Sequence, residues 1–213
     1  MKKKIFNVSL VLAVILIFQA CQMEQERQVV VDEPELPKIA VLVAEGFHDG
    51  EAYMPMGYLL NQGYEITVIG PERGVVKAYN SDFTIEIEKA VTEVSPDEFE
   101  ALILPGGQGP SVLREREEVV RFVSDFWQTG KVTAAICHGP QVLITAGVMD
   151  GVTGTGFGGI QEELEEAGVN YLDESVVVDG HLITSRVPQD LHDFSNTIAE
   201  ALREQLVVHD AEM

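Results

Sequence analysis

The chain has 213 residues and a formal net charge of −21, because 35 Asp and Glu outnumber 14 Lys and Arg. This length is enough for one α/β domain with a sizeable core. So acidic a surface argues against nucleic acid or an anionic membrane as a docking partner. Two cysteines do not make a disulfide framework. Five scattered histidines without a Cys-x-x-Cys motif show no metal-ligand spacing, so we expect no metal site.

The N-terminal segment 1–20 has the pattern of a secretory signal peptide. Three lysines at 2–4 form a basic segment, an apolar run from 5 to 18 follows, and the small residue Ala20 precedes Cys21. A cysteine directly after the cleavage site is typical of bacterial lipoproteins, whose thiol receives diacylglycerol. We therefore expect an exported lipoprotein, facing the periplasm or the cell exterior and bound to a membrane only through its lipid. A plain secretory signal and an uncleaved anchor are the alternatives.

The rest of the chain divides into a tether, a domain and a tail. Residues 21–37 hold acids, glutamines and two prolines, which predicts a flexible acidic tether. Apolar patterning predicts a folded domain over 38–208 and leaves 209–213 as a tail. If Cys21 is acylated, Cys137 is the only thiol left and cannot pair within the chain.

Predicted strands and helices alternate along the domain. In chain order they are a strand at 38–43, a helix at 51–62, strands at 64–69, 75–78, 83–87 and 101–104, a helix at 117–128, a strand from 132, helices at 141–146 and 158–167, a hairpin at 176–184 and a helix at 190–205. This order predicts a three-layer α/β sandwich with a mostly parallel sheet. In such sheets the ligand site lies at the carboxyl ends of the strands.

The most informative segment is the strand, tight turn and helix around Cys137. An apolar run from Val132 leads into Cys-His-Gly-Pro, the context in which a nucleophile elbow presents a reactive side chain. Small residues two positions before and after the cysteine, Ala135 and Gly139, let the turn close. A helix N-terminus favours a thiolate, so we expect a thiol pKa well below the free value of about 8.5. The alternative is a buried structural cysteine.

Two other strand ends also carry residues suited to chemistry. Glu51 begins the helix after the first strand, where its carboxyl group can stay protonated and donate a hydrogen bond to a Cys137 thiolate. The alternative is that Glu51 is only a first-turn acid, which the helix dipole favours. Gly106 and Gly107 follow a buried strand, so their backbone can form an oxyanion hole with the N–H of His138, or only a turn. The His138 ring is a candidate acid or base, although it need not touch the neighbouring sulfur.

Taken together, these segments resemble the ThiJ/PfpI family, part of the class I glutamine amidotransferase-like superfamily. The resemblance covers nearly the whole domain, from Lys38 to about Leu202. The segments that carry it, in chain order, are 46–51, 104–107, 130–132, 134–141, 146–148, 176–180 and 184–191.

The resemblance implies a flavodoxin-like fold, a homodimer or higher homo-oligomer, and no cofactor. It implies Cys137 as nucleophile, Glu51 as its carboxyl partner, and Gly107 and His138 as backbone donors. The remaining candidates for oxyanion or substrate binding are Gly106, His48 and Arg186. Activities in the family include glyoxalase, deglycase and peptidase reactions, chaperone behaviour and oxidant sensing.

Two positions depart from the family pattern. Ser111 stands where the peptidases place a glutamate from a neighbouring subunit, and His48 stands where members usually have an acid. The sequence therefore favours a cofactor-independent cysteine enzyme, with Cys137, His138 and Glu51 as catalytic residues, acting on small reactive carbonyls or their adducts. The alternatives are a cysteine peptidase acting on peptides and a non-catalytic thiol sensor or chaperone.

Overall fold

The computed structural model describes residues 36–212, and the side chains of that range up to Val207. The predicted signal peptide, Cys21 and the tether up to residue 35 lie outside the described residues. None of the helices within 36–212 combines the length and the apolar character needed to cross a bilayer.

A seven-stranded sheet forms the centre of the domain. Its strands are β1 (Lys38–Leu42), β2 (Glu65–Gly70), β5 (Lys89–Ala90), β6 (Ala101–Leu104), β7 (Val132–Ile136), β10 (Val176–Asp179) and β11 (Leu182–Ser185). Their order across the sheet is β10-β11-β7-β6-β1-β2-β5. Every neighbouring pair is parallel except β10 and β11, which form the predicted hairpin. The mostly parallel sheet is therefore confirmed.

Two small sheets lie outside the central one. One is the antiparallel pair β3 (Gly74–Lys77) and β4 (Thr84–Ile87), close to the two short strands predicted there. The other is the parallel pair β8 (Thr153–Gly154) and β9 (Asn170–Tyr171), which the sequence did not predict. The strands of this second pair have two residues each, which is too short for apolar periodicity to distinguish them from loops.

Helices cover both faces of the central sheet. They are α1 (Asp49–Asn61), α2 (Gly109–Leu113), α3 (Glu117–Gln128), α4 (Pro140–Thr145), α5 (Gln161–Glu166) and α6 (Leu191–Glu212), with single 3₁₀ turns at Val91–Glu93, Pro96–Glu98, Gly158–Ile160 and Pro188–Asp190. The predicted final helix runs on past Gln205, into the predicted tail. The predicted helix over 158–167 is divided into a 3₁₀ turn and α5.

Alternation along each strand sends side chains into two cores. Ile39 and Val41 of β1 pack with apolar residues of α1 and α6, whereas Ala40 and Leu42 pack with those of α3, α4 and α5. The central strands β1, β6 and β7 are thus buried on both faces, as their continuous apolar sequences predict. The three layers bring the carboxyl ends of β1, β6, β7 and β11 to one edge of the sheet, where the predicted site residues lie.

Candidate active site

Cys137 follows β7 in the predicted strand–turn–helix arrangement. Its φ of 61° is the only positive φ of a non-glycine residue in the described chain. The left-handed conformation costs an L-residue about 1–2 kcal/mol, so the surroundings must hold it. The Cys137 N–H donates to the Ser185 carbonyl at 3.1 Å, and the Cys137 carbonyl accepts from the Phe157 N–H at 2.9 Å. The predicted elbow is therefore confirmed.

Two glycines let other strand ends approach this turn. A Cβ on Gly139 would overlap the Leu104 carbonyl oxygen of β6, which explains the small residue two positions after Cys137. A Cβ on Gly106 would lie 2.6 Å from both the Cys137 Cβ and the Glu51 Oε2. The Pro-Gly-Gly turn is thus a packing requirement of the site as well as a source of backbone donors.

Glu51 lies in the first turn of α1 with 0% of its surface exposed. Its Oε2 accepts from the Gly106 N–H at 2.9 Å, whereas Oε1 is buried without a hydrogen-bond partner. Burial raises the pKa of Glu51 to about 7, against smaller opposing effects of the Gly106 N–H and the Cys137 thiol. A carboxyl group with this pKa can accept and return a proton at neutral pH.

The Cys137 thiol does not have the low pKa that the elbow predicted. Burial and the adjacent Glu51 carboxylate raise the pKa of Cys137 to about 12. The backbone N–H groups of Gly107 and His138 face the sulfur and oppose this rise, but they do not outweigh it. The prediction was wrong because it considered only the lowering of the thiol pKa by the helix N-terminus. The Cys137 side chain is only 8% exposed, and this desolvation raises the pKa.

Glu51 and Cys137 therefore titrate as a coupled pair. The pair loses its first proton near pH 7, because the pKa of Glu51 is raised to about 7. It loses its second proton only near pH 12, because the pKa of Cys137 is raised to about 12. Between these values the pair holds one proton. That proton can reside on the thiol beside a carboxylate base, or on the carboxyl group beside a thiolate.

The His138 ring reaches the sulfur, a contact that the sequence left open. Its Nδ1 lies 3.2 Å from the Cys137 Sγ, and the ring packs on Phe157 with centroids 5.0 Å apart. Burial lowers the pKa of His138, while Glu163 acts in the opposite direction. A neutral ring beside the sulfur can act as a proton acceptor or donor.

Glu163, on α5, is a neighbour of His138 that the sequence analysis missed. Its carboxylate is held by Gln141 Nε2 at 2.6 Å and by a guanidinium nitrogen of Arg114 at 2.6 Å. Within the described part of the chain no carboxylate hydrogen-bonds to His138. Ser111 is exposed on α2, so this chain's own residue at that position offers no carboxylate.

His48 and Tyr79 lie on the side of the first loop. His48 precedes α1, and its Nδ1 accepts from the Glu51 N–H at 3.4 Å, so it caps the helix that carries Glu51. Its ring meets Tyr79 edge to face, with centroids 5.7 Å apart. Burial raises the pKa of Tyr79, and so do charges on Cys137 and Glu51, which places Tyr79 in their electrostatic surroundings. No sequence pattern singled out this tyrosine.

Arg186, a candidate for oxyanion or substrate binding, has its guanidinium bound to two acids. It donates to Asp190 at 3.0 and 3.3 Å and to an Asp173 carboxylate oxygen at 2.7 Å. Both acids raise the pKa of Arg186. Because it follows Ser185, whose carbonyl binds the Cys137 N–H, Arg186 is placed to fix this strand end.

Within residues 36–212 no group of three or more His, Cys, Asp or Glu side chains is arranged to hold a metal ion.

A profile described as the DJ-1/PfpI family matches residues 37–201. A protein named deglycase from Pyrococcus abyssi is 40% identical over 166 residues, which are 78% of this chain and 99% of the relative. Protein/nucleic acid deglycase 2 of Escherichia coli K12 is 42% identical over 168 residues, 78% of this chain and 96% of the relative.

A solved structure shows the same fold. The crystal structure of Drosophila melanogaster DJ-1beta matches with a TM-score of 0.74 and 32% identity, covering 79% of this chain and 91% of that one. This similarity confirms the predicted flavodoxin-like arrangement of sheet and helices.

Proposed function

The chain belongs to the DJ-1/PfpI family, and we propose that it is a cofactor-independent cysteine enzyme acting on small reactive carbonyls or their adducts. The observation that carries this proposal is the buried pair of Glu51 and Cys137 beside the N–H groups of Gly107 and His138. A thiol, a proton acceptor with a pKa of about 7 and two aimed donors suffice for addition to an aldehyde. Two relatives are named deglycases, and these names support the same class of reaction.

The first step is addition of the thiol to the carbonyl carbon. The Cys137 sulfur forms the new C–S bond, the carbonyl π electrons move to oxygen, and the thiol proton passes to the Glu51 carboxylate. The N–H groups that face the sulfur then hold the oxyanion. Return of the proton from Glu51 to that oxygen gives a neutral hemithioacetal and restores the carboxylate.

An α-oxoaldehyde can continue from the hemithioacetal without an external oxidant. Glu51 or His138 removes the C–H proton from the former aldehyde carbon and returns a proton to the neighbouring carbonyl carbon, while the hemithioacetal hydroxyl proton passes to the oxygen of that neighbouring carbon. The first carbon is oxidised to a thioester while the second is reduced to an alcohol. Water then cleaves the thioester, which releases a 2-hydroxy acid and the free thiol.

Peptide hydrolysis is the second candidate, and one observation favours it. The 3.2 Å contact between the Cys137 Sγ and the His138 Nδ1 is the contact that a cysteine–histidine dyad requires. Against it, the carboxylate of Glu163 is already bound to Gln141 and Arg114 and does not hydrogen-bond to His138. We therefore rank carbonyl chemistry above amide cleavage.

A turnover screen tests the proposal. The protein is incubated with methylglyoxal, with glycated amines and with fluorogenic peptides, and the Cys137→Ser variant is run beside it. We expect consumption of the carbonyl compounds that is lost in the variant. Absence of turnover with every compound would contradict the proposal and favour a non-catalytic thiol sensor or chaperone.

A further inference from the structure

One polar network ties together three helices that follow the parts of the candidate active site. α2 follows the Pro-Gly-Gly turn, α4 follows the elbow, and α5 follows Phe157. A guanidinium nitrogen of Arg114, at the carboxyl end of α2, lies 2.6 Å from Glu163 Oε1 of α5, and Arg114 Nε donates to the Thr145 hydroxyl of α4 at 2.9 Å. Glu163 Oε2 accepts from Gln141 Nε2 of α4 at 2.6 Å. Each of the three helices is therefore bonded to the other two.

The members of this network hold one another closely. The Thr145 hydroxyl, which accepts from Arg114, also donates to the Gln141 carbonyl at 3.1 Å. Both carboxylate oxygens of Glu163 are engaged, one by each partner, and the Arg114 and Glu163 side chains are only 27% and 33% exposed. An isolated ion pair at this exposure contributes little to stability, whereas contacts joined in a network restrict one another's conformations. The network is therefore suited to fixing the three helices in one arrangement.

Glu163 is connected to His138 through the first turn of α4. The Gln141 N–H donates to the His138 carbonyl at 3.0 Å, so Gln141 lies in the turn that begins at His138. The side chain of the same glutamine is held by Glu163. Pro140 lies between His138 and Gln141, and its ring fixes φ at that position. The short, stiff turn therefore transmits the position of Gln141 to His138.

A second connection runs through Phe157, which precedes α5. The Phe157 N–H donates to the Cys137 carbonyl at 2.9 Å, and the Phe157 carbonyl accepts from the Ile160 N–H at 2.8 Å, in the 3₁₀ turn that leads into α5. The Phe157 ring packs on the His138 ring. No carboxylate among the described side chains hydrogen-bonds to that imidazole, so its place beside the sulfur depends on this packing. Because Glu163 fixes α5, it also fixes the wall against which the imidazole rests.

We propose that Glu163 is a positioning residue, which together with Arg114 holds the His138 imidazole against the Cys137 sulfur. Under the proposed function, on which this inference rests, the ring must stay within proton-transfer reach of the reacting atoms during turnover. In the described chain neither Arg114 nor Glu163 hydrogen-bonds to the imidazole or to the sulfur. The pair therefore acts through the placement of α4 and of Phe157.

Three variants of the full chain test this role. Glu163→Ala removes both anchors, whereas Glu163→Gln keeps the length of the side chain and two atoms that can form hydrogen bonds. Glu100→Ala is the matched control, because Glu100 likewise binds one cation and one glutamine amide, Lys131 Nζ at 3.2 Å and Gln205 Nε2 at 3.1 Å. Glu100 is 29% exposed and precedes β6, at the edge of the sheet opposite the site. Both alanine substitutions change the net charge equally.

Turnover of methylglyoxal is the first readout. In Glu163→Ala we expect kcat to fall on the order of 10- to 100-fold, because a small misplacement of a catalytic group costs that much in rate. KM should change little, since Glu163 makes no contact with the reacting groups. Glu163→Gln should retain most of the wild-type kcat, and Glu100→Ala should retain all of it. Equal losses in the two alanine variants, or a loss in Glu163→Gln as large as in Glu163→Ala, would overturn the inference.

NMR spectra of the His138 ring protons, assigned by their loss in His138→Gln, supply a readout that needs no turnover. The adjacent Phe157 ring displaces these signals from the values of an unpacked histidine. In Glu163→Ala they should move toward those values, whereas in Glu163→Gln and Glu100→Ala they should stay in place. Unmoved signals in Glu163→Ala would overturn the inference and leave the proposed function standing. Signals that move as expected, in a protein whose wild type consumes no carbonyl compound, would overturn the proposed function and support the positioning role of Glu163.

Discussion

Glu51 and Cys137 form a buried carboxyl–thiol pair, with 0% and 8% of their surfaces exposed, and each group shifts the pKa of the other. Two separate strand ends create the pair. The first turn of α1 supplies the carboxyl group, the elbow after β7 supplies the thiol, and Gly106 fits between them because it has no Cβ.

Stability should depend on pH through Glu51. Its pKa is raised from 4.5 to about 7 in the folded protein, so the folded state holds the proton more tightly than the unfolded chain. The resulting stabilisation is complete below pH 4.5 and is lost as the pH rises through 7, by about 3 kcal/mol. Chemical denaturation at several pH values should show this fall in the free energy of unfolding for the wild type relative to Glu51→Gln. Parallel curves for the two proteins would refute it.

Gly106→Ala should damage the site and the fold together. The new Cβ would lie 2.6 Å from the Cys137 Cβ and the Glu51 Oε2, so the pair must separate. We expect a loss of about 1–3 kcal/mol in unfolding free energy and a large loss of carbonyl turnover. Gly57→Ala, in α1 with nothing within 4 Å of the added Cβ, is the matched control and should stabilise the protein by about 0.5–1 kcal/mol. Similar behaviour of the two variants would count against the packing argument.

Peptide cleavage should be at or near background. The imidazole of His138 touches the sulfur but has no hydrogen-bonded carboxylate in the described chain, and amide cleavage needs that ring to protonate the amine leaving group. Loss of the orienting carboxylate of a triad costs about 10⁴ in rate. Fluorogenic peptide assays of the wild type and Ser111→Glu measure this, and the variant is expected to gain activity only if a subunit contact brings the new acid to His138. Robust cleavage by the wild type, abolished in Cys137→Ser, would reverse our ranking.

Membrane attachment is proposed to depend on Cys21. The basic segment, the apolar run and Ala20 before Cys21 predict lipid attachment at that thiol. The wild type should fractionate with membranes and Cys21→Ser should not, because each buried CH₂ of an acyl chain contributes about 0.8 kcal/mol. Mass spectrometry that finds an unmodified mature N-terminus elsewhere would refute the proposal.

Local sequence was sufficient for the elbow and for Glu51. An apolar strand followed by Cys-His-Gly-Pro allows few conformations, and an acid at a helix start after the first parallel strand must lie at the same sheet edge. Glu163 and Tyr79 were missed because their positions depend on how α5 and the segment after β3 fold back over that edge. The sign of the thiol pKa shift was wrong for a related reason. Desolvation depends on neighbours from other strands, and Gly106 and Glu51 exclude water from Cys137 only once the chain is packed.

The pH dependence of methylglyoxal consumption tests the central claim most directly. If the singly protonated Glu51–Cys137 pair is the reactive form, kcat/KM should rise with pH through about 7 as the pair loses its first proton. Glu51→Gln should lower kcat/KM and remove that rise, while Cys137→Ser should abolish turnover. A wild-type profile without an inflection near 7, or one that Glu51→Gln reproduces unchanged, would contradict the account.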